Sequence, residues 1–283
     1  MINNAGIRIC FLSIGFFCLL ATSVSAQKTD DPSKKNKKEK QAERKERVDK
    51  LIRQEEEGAL IYQKQSIFGA KLYSDGWGAF FEKGYMKTVN KTNLFSIEIG
   101  ERKHRKEEKV SKFISGTPFL GNSLVYGKQN NFYFLKLGVG QSYLLGGKGN
   151  RNGVAVSAIY VGGLSMGFLK PYYLDVIDPL SNSELTIRYE GNGSRNDTLF
   201  LDPQSISGGA GVFKGFNQMK VKPGLFLKGA IRFDYGRYNE LVSALEAGFN
   251  TEFYSADMPI MVNNKARKLF TNVFIAIEFG RRK

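Results

Sequence analysis

Apolar and polar side chains alternate along the C-terminal part of the chain. Between Gly224 and Tyr235, one parity carries Leu225, Leu227, Ile231, Phe233 and Tyr235, and the other carries Lys228, Arg232 and Asp234. In the next run Leu245, Ala247, Phe249 and Phe253 oppose Glu246, Asn250 and Glu252. In the last, Val273, Ile275, Ile277 and Phe279 oppose Ala276 and Glu278. Period two is strand geometry, because successive side chains leave opposite faces of an extended backbone. A strand of roughly 9–11 residues, apolar towards lipid and polar towards a lumen, crosses a bilayer.

The same rule predicts further strands upstream. Ser66–Tyr73 and Trp77–Tyr85 flank Asp75-Gly76, a tight-turn signal. Asn93–Gly100 sets Phe95, Ile97 and Ile99 against Ser96 and Glu98. Asn131–Tyr143 sets Tyr133, Leu135, Leu137 and Val139 against Lys136. Gly153–Phe168 reads as one strand or two, broken at Gly162-Gly163, and Leu185–Tyr189 as a weak strand inside the mostly loop-like stretch 171–204. Residues 101–130 read as a long polar loop, and Ser205–Phe213 as a glycine-rich segment. Single-chain bacterial barrels have an even number of strands, so a tally of nine strong segments contains one that does not belong, near Gly162-Gly163 or at Leu185–Tyr189. The expected fold is all-β: an antiparallel transmembrane β-barrel of about 8–10 strands over residues 63–283. The chain's 31 glycines suit such a fold, where a missing side chain relieves crowding in a narrow barrel or permits a bend. A soluble lipocalin-like barrel is the alternative, with its apolar face turned inward.

The N-terminal part has a different character. Arg8, the apolar stretch Ile9–Ala21 and the small residues Val24-Ser25-Ala26 predict a signal peptide over 1–26. Both cysteines, Cys10 and Cys18, lie within it, so the mature chain is expected to hold no thiol. Phe17 stands where a lipoprotein signal needs a small residue before Cys18. Residues 27–62 form a charged periplasmic tail, led by Lys34-Lys35-Asn36-Lys37-Lys38. Within it, Glu43/Arg47 and Glu46/Lys50 spacings and a thin stripe of Val48, Leu51 and Ile52 predict a short helix from about Gln41 to Glu57. The net charge of +15 suits anionic partners. Export selects outer-membrane lipid and lipopolysaccharide from these and argues against nucleic acid.

With the apolar faces on lipid, Glu98, Lys136, Lys228, Arg232, Glu246, Asn250, Glu252 and Glu278 face the interior and form a candidate lumen polar network. An eight-stranded barrel is just wide enough to be filled by side chains, so this set is expected to pair and plug it; a conducting lumen is the alternative. Little points to catalysis. His104, the sole histidine, sits in the charge run Glu101–Lys109, and one histidine without cysteine leaves no zinc constellation. No catalytic, cofactor or metal residue is expected. Gly146-Gly147-Lys148-Gly149 lacks the phosphate-loop spacing and reads as a turn, and Trp77 as an interfacial aromatic.

The segments Lys71–Gly78, Phe81–Gly84, Tyr126–Asn131, Lys170–Tyr173, Arg232–Arg237 and Glu278–Lys283 resemble the outer-membrane β-barrel proteins of the Bacteroidota, many without an assigned function. The resemblance covers roughly residues 66–283 and is similar, more distantly, to the PorT-like group connected with secretion through the outer membrane. It implies an accessory or scaffold role in an envelope protein complex, and the weak case for catalysis in the residues makes that role a non-enzymatic one. The terminal Arg281-Arg282-Lys283 departs from the terminal aromatic of proteobacterial barrels, although Phe279 is close. A narrow pore for small solutes and, third, a lipid-modifying enzyme are the competing functions.

Overall fold

The computed structural model describes residues 44–46, 62–111, 122–149, 153–238 and 240–283. The expected signal segment lies outside the described residues, as does the tail except for 44–46, which are helical, and Tyr62.

Eight antiparallel strands close into a barrel: β1 (Lys64–Tyr73), β2 (Gly76–Thr88), β3 (Lys91–Arg102), β6 (Asn130–Gly146), β7 (Ala155–Pro171), β11 (Lys220–Asp234), β12 (Leu241–Met258) and β13 (Arg267–Arg282). Each pairs with its neighbours in sequence order, and β1 closes on β13 from Gln65↔Arg282 to Tyr73↔Phe274. Closure removes the unpaired edges that hydrocarbon would not tolerate.

The alternation decides which face meets what. Phe68, Leu72, Ile97, Val139, Leu227 and Val273 are exposed on the outer wall, whereas Lys71, Glu82, Lys136, Glu246, Glu252 and Glu278 are buried inside. A soluble barrel has the opposite arrangement. An apolar belt around every strand, far beyond the few hundred Å² a soluble monomer exposes, makes this a transmembrane barrel. No helix among the described residues is long and apolar enough to cross a membrane; the strands do so.

Two expectations are refined. Gly162-Gly163 does not divide the fifth segment, since β7 pairs unbroken with β6 and β11 through both glycines. The opposed glycines Gly138 and Gly163 instead make room inside: a Cβ on Gly138 would lie 2.7 Å from the Phe226 ring, which fills that space. The surplus ninth segment is Leu185–Tyr189, whose strand lies outside the barrel.

The two ends differ. Where β1 begins and β13 finishes, the connections 89–90, 147–154 and 235–240 are short. At the opposite end, 103–129 and 172–219 are long and partly folded. β4 (Lys109–Val110) pairs with β5 (Leu124–Val125). β8 (Tyr173–Ile177) is the centre of a three-stranded sheet between β9 (Glu184–Arg188) and β10 (Ile206–Gly209). Helix α1 (Arg195–Leu201) follows β9; Ser194 caps it by accepting the Asp197 N–H, and Asp197 in its first turn suits the positive helix end. The stretch expected to be mostly loop is therefore a small folded cap. It has its own core of Leu174, Val176, Ile187, Leu199, Phe200 and Ile206, joined by Leu124 from β5.

Candidate functional site

The barrel interior is stacked in three tiers. Strand alternation aims the side chains inward, and the strand directions set each height. The tier nearest the cap joins four strands and the β1–β2 turn. Lys71 Nζ is 2.6 Å and Lys136 Nζ 2.9 Å from the two Glu98 oxygens, and Tyr73 donates to the same carboxylate. Lys136 also reaches Glu252 at 2.6 Å. Arg102 pairs with Glu252 and, at 2.6 Å, with Asp75 in the β1–β2 turn. Asn250 and Tyr254 donate to Glu252 at 2.6 and 2.7 Å. Aromatic rings line this tier, with Lys71 4.3 Å from the Phe80 ring centre and Lys136 4.2 Å from that of Phe134.

The middle tier centres on Arg232. Its guanidinium lies 2.9 Å from Glu82, 2.9 Å from Glu246 and 2.5 Å from Glu278, while Lys228 reaches Glu246 at 3.0 Å. The Glu82 contact is a charge contact without directed hydrogen-bond geometry. The third tier closes the end where β1 begins and β13 finishes: Arg282 lies 2.5 Å from Asp234, and Lys148 reaches Asp234 at 3.5 Å and the Gly236 carbonyl at 2.5 Å. Lys148, in the glycine-rich turn, is thus a buried plug residue.

Across the tiers seven cations (Lys71, Arg102, Lys136, Lys148, Lys228, Arg232, Arg282) meet seven carboxylates (Asp75, Glu82, Glu98, Asp234, Glu246, Glu252, Glu278). Removing a charge from water costs several kcal/mol per ion, so such a set persists only when its members compensate each other. Towards the cap, Phe132, Tyr254 and Phe270 meet with ring centres 5.4–6.0 Å apart. Met258, at the end of β12, and Ile260 and Met261, from the β12–β13 connection, join the same buried cluster. Gln129 N–H donates to Ile260 O, Val262 N–H to Gly127 O and Tyr172 N–H to Gln129 O, tying three connections together across that end.

All eight residues expected to face the lumen, Glu98, Lys136, Lys228, Arg232, Glu246, Asn250, Glu252 and Glu278, are buried there. The candidate set omitted Lys71, Tyr73, Glu82, Arg102 and Arg282, and also Asp234, although the alternation puts it on the polar face with Lys228 and Arg232. The first three alternate with outward Leu72 and Phe81 and were within reach of the period-two rule; Arg102 was hidden by the charge run it begins. His104 is at the capped end, where its Nδ1 accepts the Lys106 N–H at 3.2 Å. Burial and the neighbouring Arg267, Lys106 and Arg105 hold its pKa below the ordinary value, against the pull of Glu107. Among the described residues no group of three His, Cys, Asp or Glu side chains is placed to hold a metal.

No protein-family model matches the chain, and no curated protein sequence matches it. Among solved structures it is similar to outer-membrane β-barrels. Ail, the attachment invasion locus protein of Yersinia pestis, solved with the heparin analogue sucrose octasulfate, shares 10% identity over 79% of this chain and 100% of its own, with a TM-score of 0.37. Neisserial surface protein A shares 9% over 78% and 95%, at 0.36. A major outer membrane protein of Thermus thermophilus shares 11% over 76% and 98%, at 0.36. None of these scores reaches 0.5, and the barrel assignment rests on the hydrogen-bonded closure of the eight strands.

Proposed function

We propose that this is a non-conducting outer-membrane barrel without enzymatic activity, which holds a folded cap at the cell surface as a scaffold or accessory component of an envelope assembly. The observation that carries this reading is the interior: seven cations against seven carboxylates, in contact through the height of the barrel, beneath an aromatic layer. A wall built to pass solutes leaves charges facing water; here they face each other. The cap supports the second half of the reading, because a segment with its own apolar core and a capped helix presents a shaped surface.

Short turns at one end and long connections at the other resemble the periplasmic and extracellular ends of bacterial barrels, and this supports a reading in which the N-terminal tail is periplasmic. The sequence resemblance to Bacteroidota barrels and, distantly, to the PorT-like group favours the accessory role. Two measurements test the proposal. Extraction in mild detergent followed by native separation should recover the protein in a complex; recovery only as a lone monomer would remove the scaffold role. Planar bilayers with the purified protein should stay electrically silent, and reproducible conductance altered by Lys228→Gln would restore the pore.

A further inference from the structure

The outer wall changes character just below the cap. On β3 the outward column runs Ile97, Ile99, Glu101, and Lys103 follows; on β6 it runs Leu137, Leu135, Tyr133, Asn131; on β7 it runs Leu164, Met166, Phe168, Lys170. Each passes from apolar to polar within one outward position of its neighbours in the pairing register, which is where lipid headgroups begin. At this border lies a cavity of about 400 Å³, walled by the tops of these columns on one side and the cap on the other.

Five lysines line the cavity: Lys103, Lys109, Lys128, Lys170 and Lys214. Against them stand Glu101 and Glu107, and Glu107 is engaged by Lys128 at 2.7 Å. Lys170 is decisive. It is only 2% exposed, yet its ammonium donates to the Val212 carbonyl alone and lies 4.6 Å from the Phe216 ring centre, with no carboxylate in ion-pair contact among the described residues. Lysines elsewhere inside this protein are buried beside carboxylates. Glu101 shares the cavity without reaching ion-pair contact, so the ammonium is only partly compensated, and an anion in the cavity would offset the cost of burying it.

We propose that this cavity binds the phosphorylated saccharide headgroup of a glycolipid in the leaflet at the capped end. The cation excess selects a phosphate. The volume, beyond what one inorganic phosphate fills, and the walls of Tyr133, Tyr172 and Tyr173 select a sugar carrying it. The position selects a lipid, whose acyl chains would continue down the apolar columns beneath the cavity.

The test uses the full-length protein in nanodiscs of phosphatidylcholine, with and without a few mole per cent of bis-phosphorylated lipid A, and quantifies bound glycolipid per barrel by native mass spectrometry. Lys103→Gln/Lys214→Gln changes two exposed side chains, and Lys170→Met removes the buried one; a heat-dependent gel shift verifies that each barrel is closed. Lys83→Gln/Lys87→Gln, near the opposite end, is the charge control. At least tenfold weaker retention in both cavity variants, with the control unchanged, is expected. Dephosphorylated lipid A should be retained as weakly by the natural protein as phosphorylated lipid A is by the variants. Equal retention in all variants, or retention independent of phosphate, would overturn the site. Glucose 1-phosphate binding as tightly as the lipid would show a soluble sugar phosphate as ligand and overturn the headgroup assignment.

Discussion

Arg102 and Glu252 lie 150 residues apart along the chain and hydrogen-bond inside the barrel, neither accessible to solvent. Arg102→Met would leave Glu252 short of a cation and Asp75 without its partner at 2.6 Å. The expected loss is about 3–5 kcal/mol, the scale for stranding one side of a buried ion pair. Arg102→Met/Glu252→Gln should recover part of it. Urea unfolding in detergent micelles, followed through the single Trp77, measures both. A double variant no more stable than Arg102→Met would show that the lost packing, not the isolated charge, sets the cost.

The cap and the barrel hold separate apolar clusters, so they should fail separately. Phe200 is fully buried in the cap, and Phe200→Ala should cost about 3–5 kcal/mol there. Limited proteolysis should then cut within 173–209 while the unheated protein keeps its fast gel mobility. Loss of the mobility shift would mean that the cap is needed for the barrel to stay closed.

Gly163 has no room for a side chain. A Cβ would lie 2.1 Å from the Leu137 carbonyl oxygen and 2.7 Å from Gly138 Cα, both backbone atoms that cannot rotate away. Gly163→Val should therefore destabilise the barrel by about 3 kcal/mol or prevent its closure. Gly149 meets nothing within 4 Å, and Gly149→Ala should stay within about 0.5 kcal/mol of the natural protein. Unfolding midpoints of the two variants make the comparison.

Asp197 accepts the backbone N–H groups of Glu190, Asn192 and Gly193 at 2.7–2.9 Å. Burial pushes its carboxyl up, but those N–H groups outweigh it and hold the pKa below the usual value. A depressed carboxyl contributes stability above its unfolded pKa of about 3.9 and loses it as the pH falls through the folded value. Protection of the 190–193 amides, relative to their intrinsic exchange rate at each pH, should thus hold down to about pH 4 and fall below it. Asp197→Asn should exchange fast throughout; unchanged rates would remove the carboxylate from this role.

His104, the only histidine, offers a clean reporter of the capped end. Its ring resonances should titrate with a midpoint below the ordinary value of about 6.5, because burial and nearby cations disfavour its charged form. A midpoint above that value would mean that Glu107 dominates and that the loop packs differently.

The barrel was legible in the sequence because its strands obey one simple rule. Outward leucines and phenylalanines on lipid and inward lysines and glutamates on the lumen leave a period of two with few exceptions, as between Leu225 and Tyr235. The cap was not, and for a physical reason. Its strands are four or five residues long, too short for alternation to accumulate, and its core draws on Leu124 and Ile206 from distant stretches. The pairings inside the lumen were equally out of reach: alternation says that Arg232 and Glu278 point inward, but only the register between strands brings them to 2.5 Å. Lys170 escaped notice because a lysine at a strand end ordinarily reaches water.

Closure of β1 on β13 has a consequence for how the molecule is made. Residues 64–73 pair with β2 along one edge, and the partners of the other edge come only from residues 267–282, about 200 residues later. Until the last strand has emerged, β1 and β12 each present a bare row of amides and carbonyls, and no partial barrel can enter lipid without them. Closure therefore waits for β13. A chain halted before Arg267 would not be a smaller barrel but an aggregation hazard, and the cell must shelter every copy until its two ends meet.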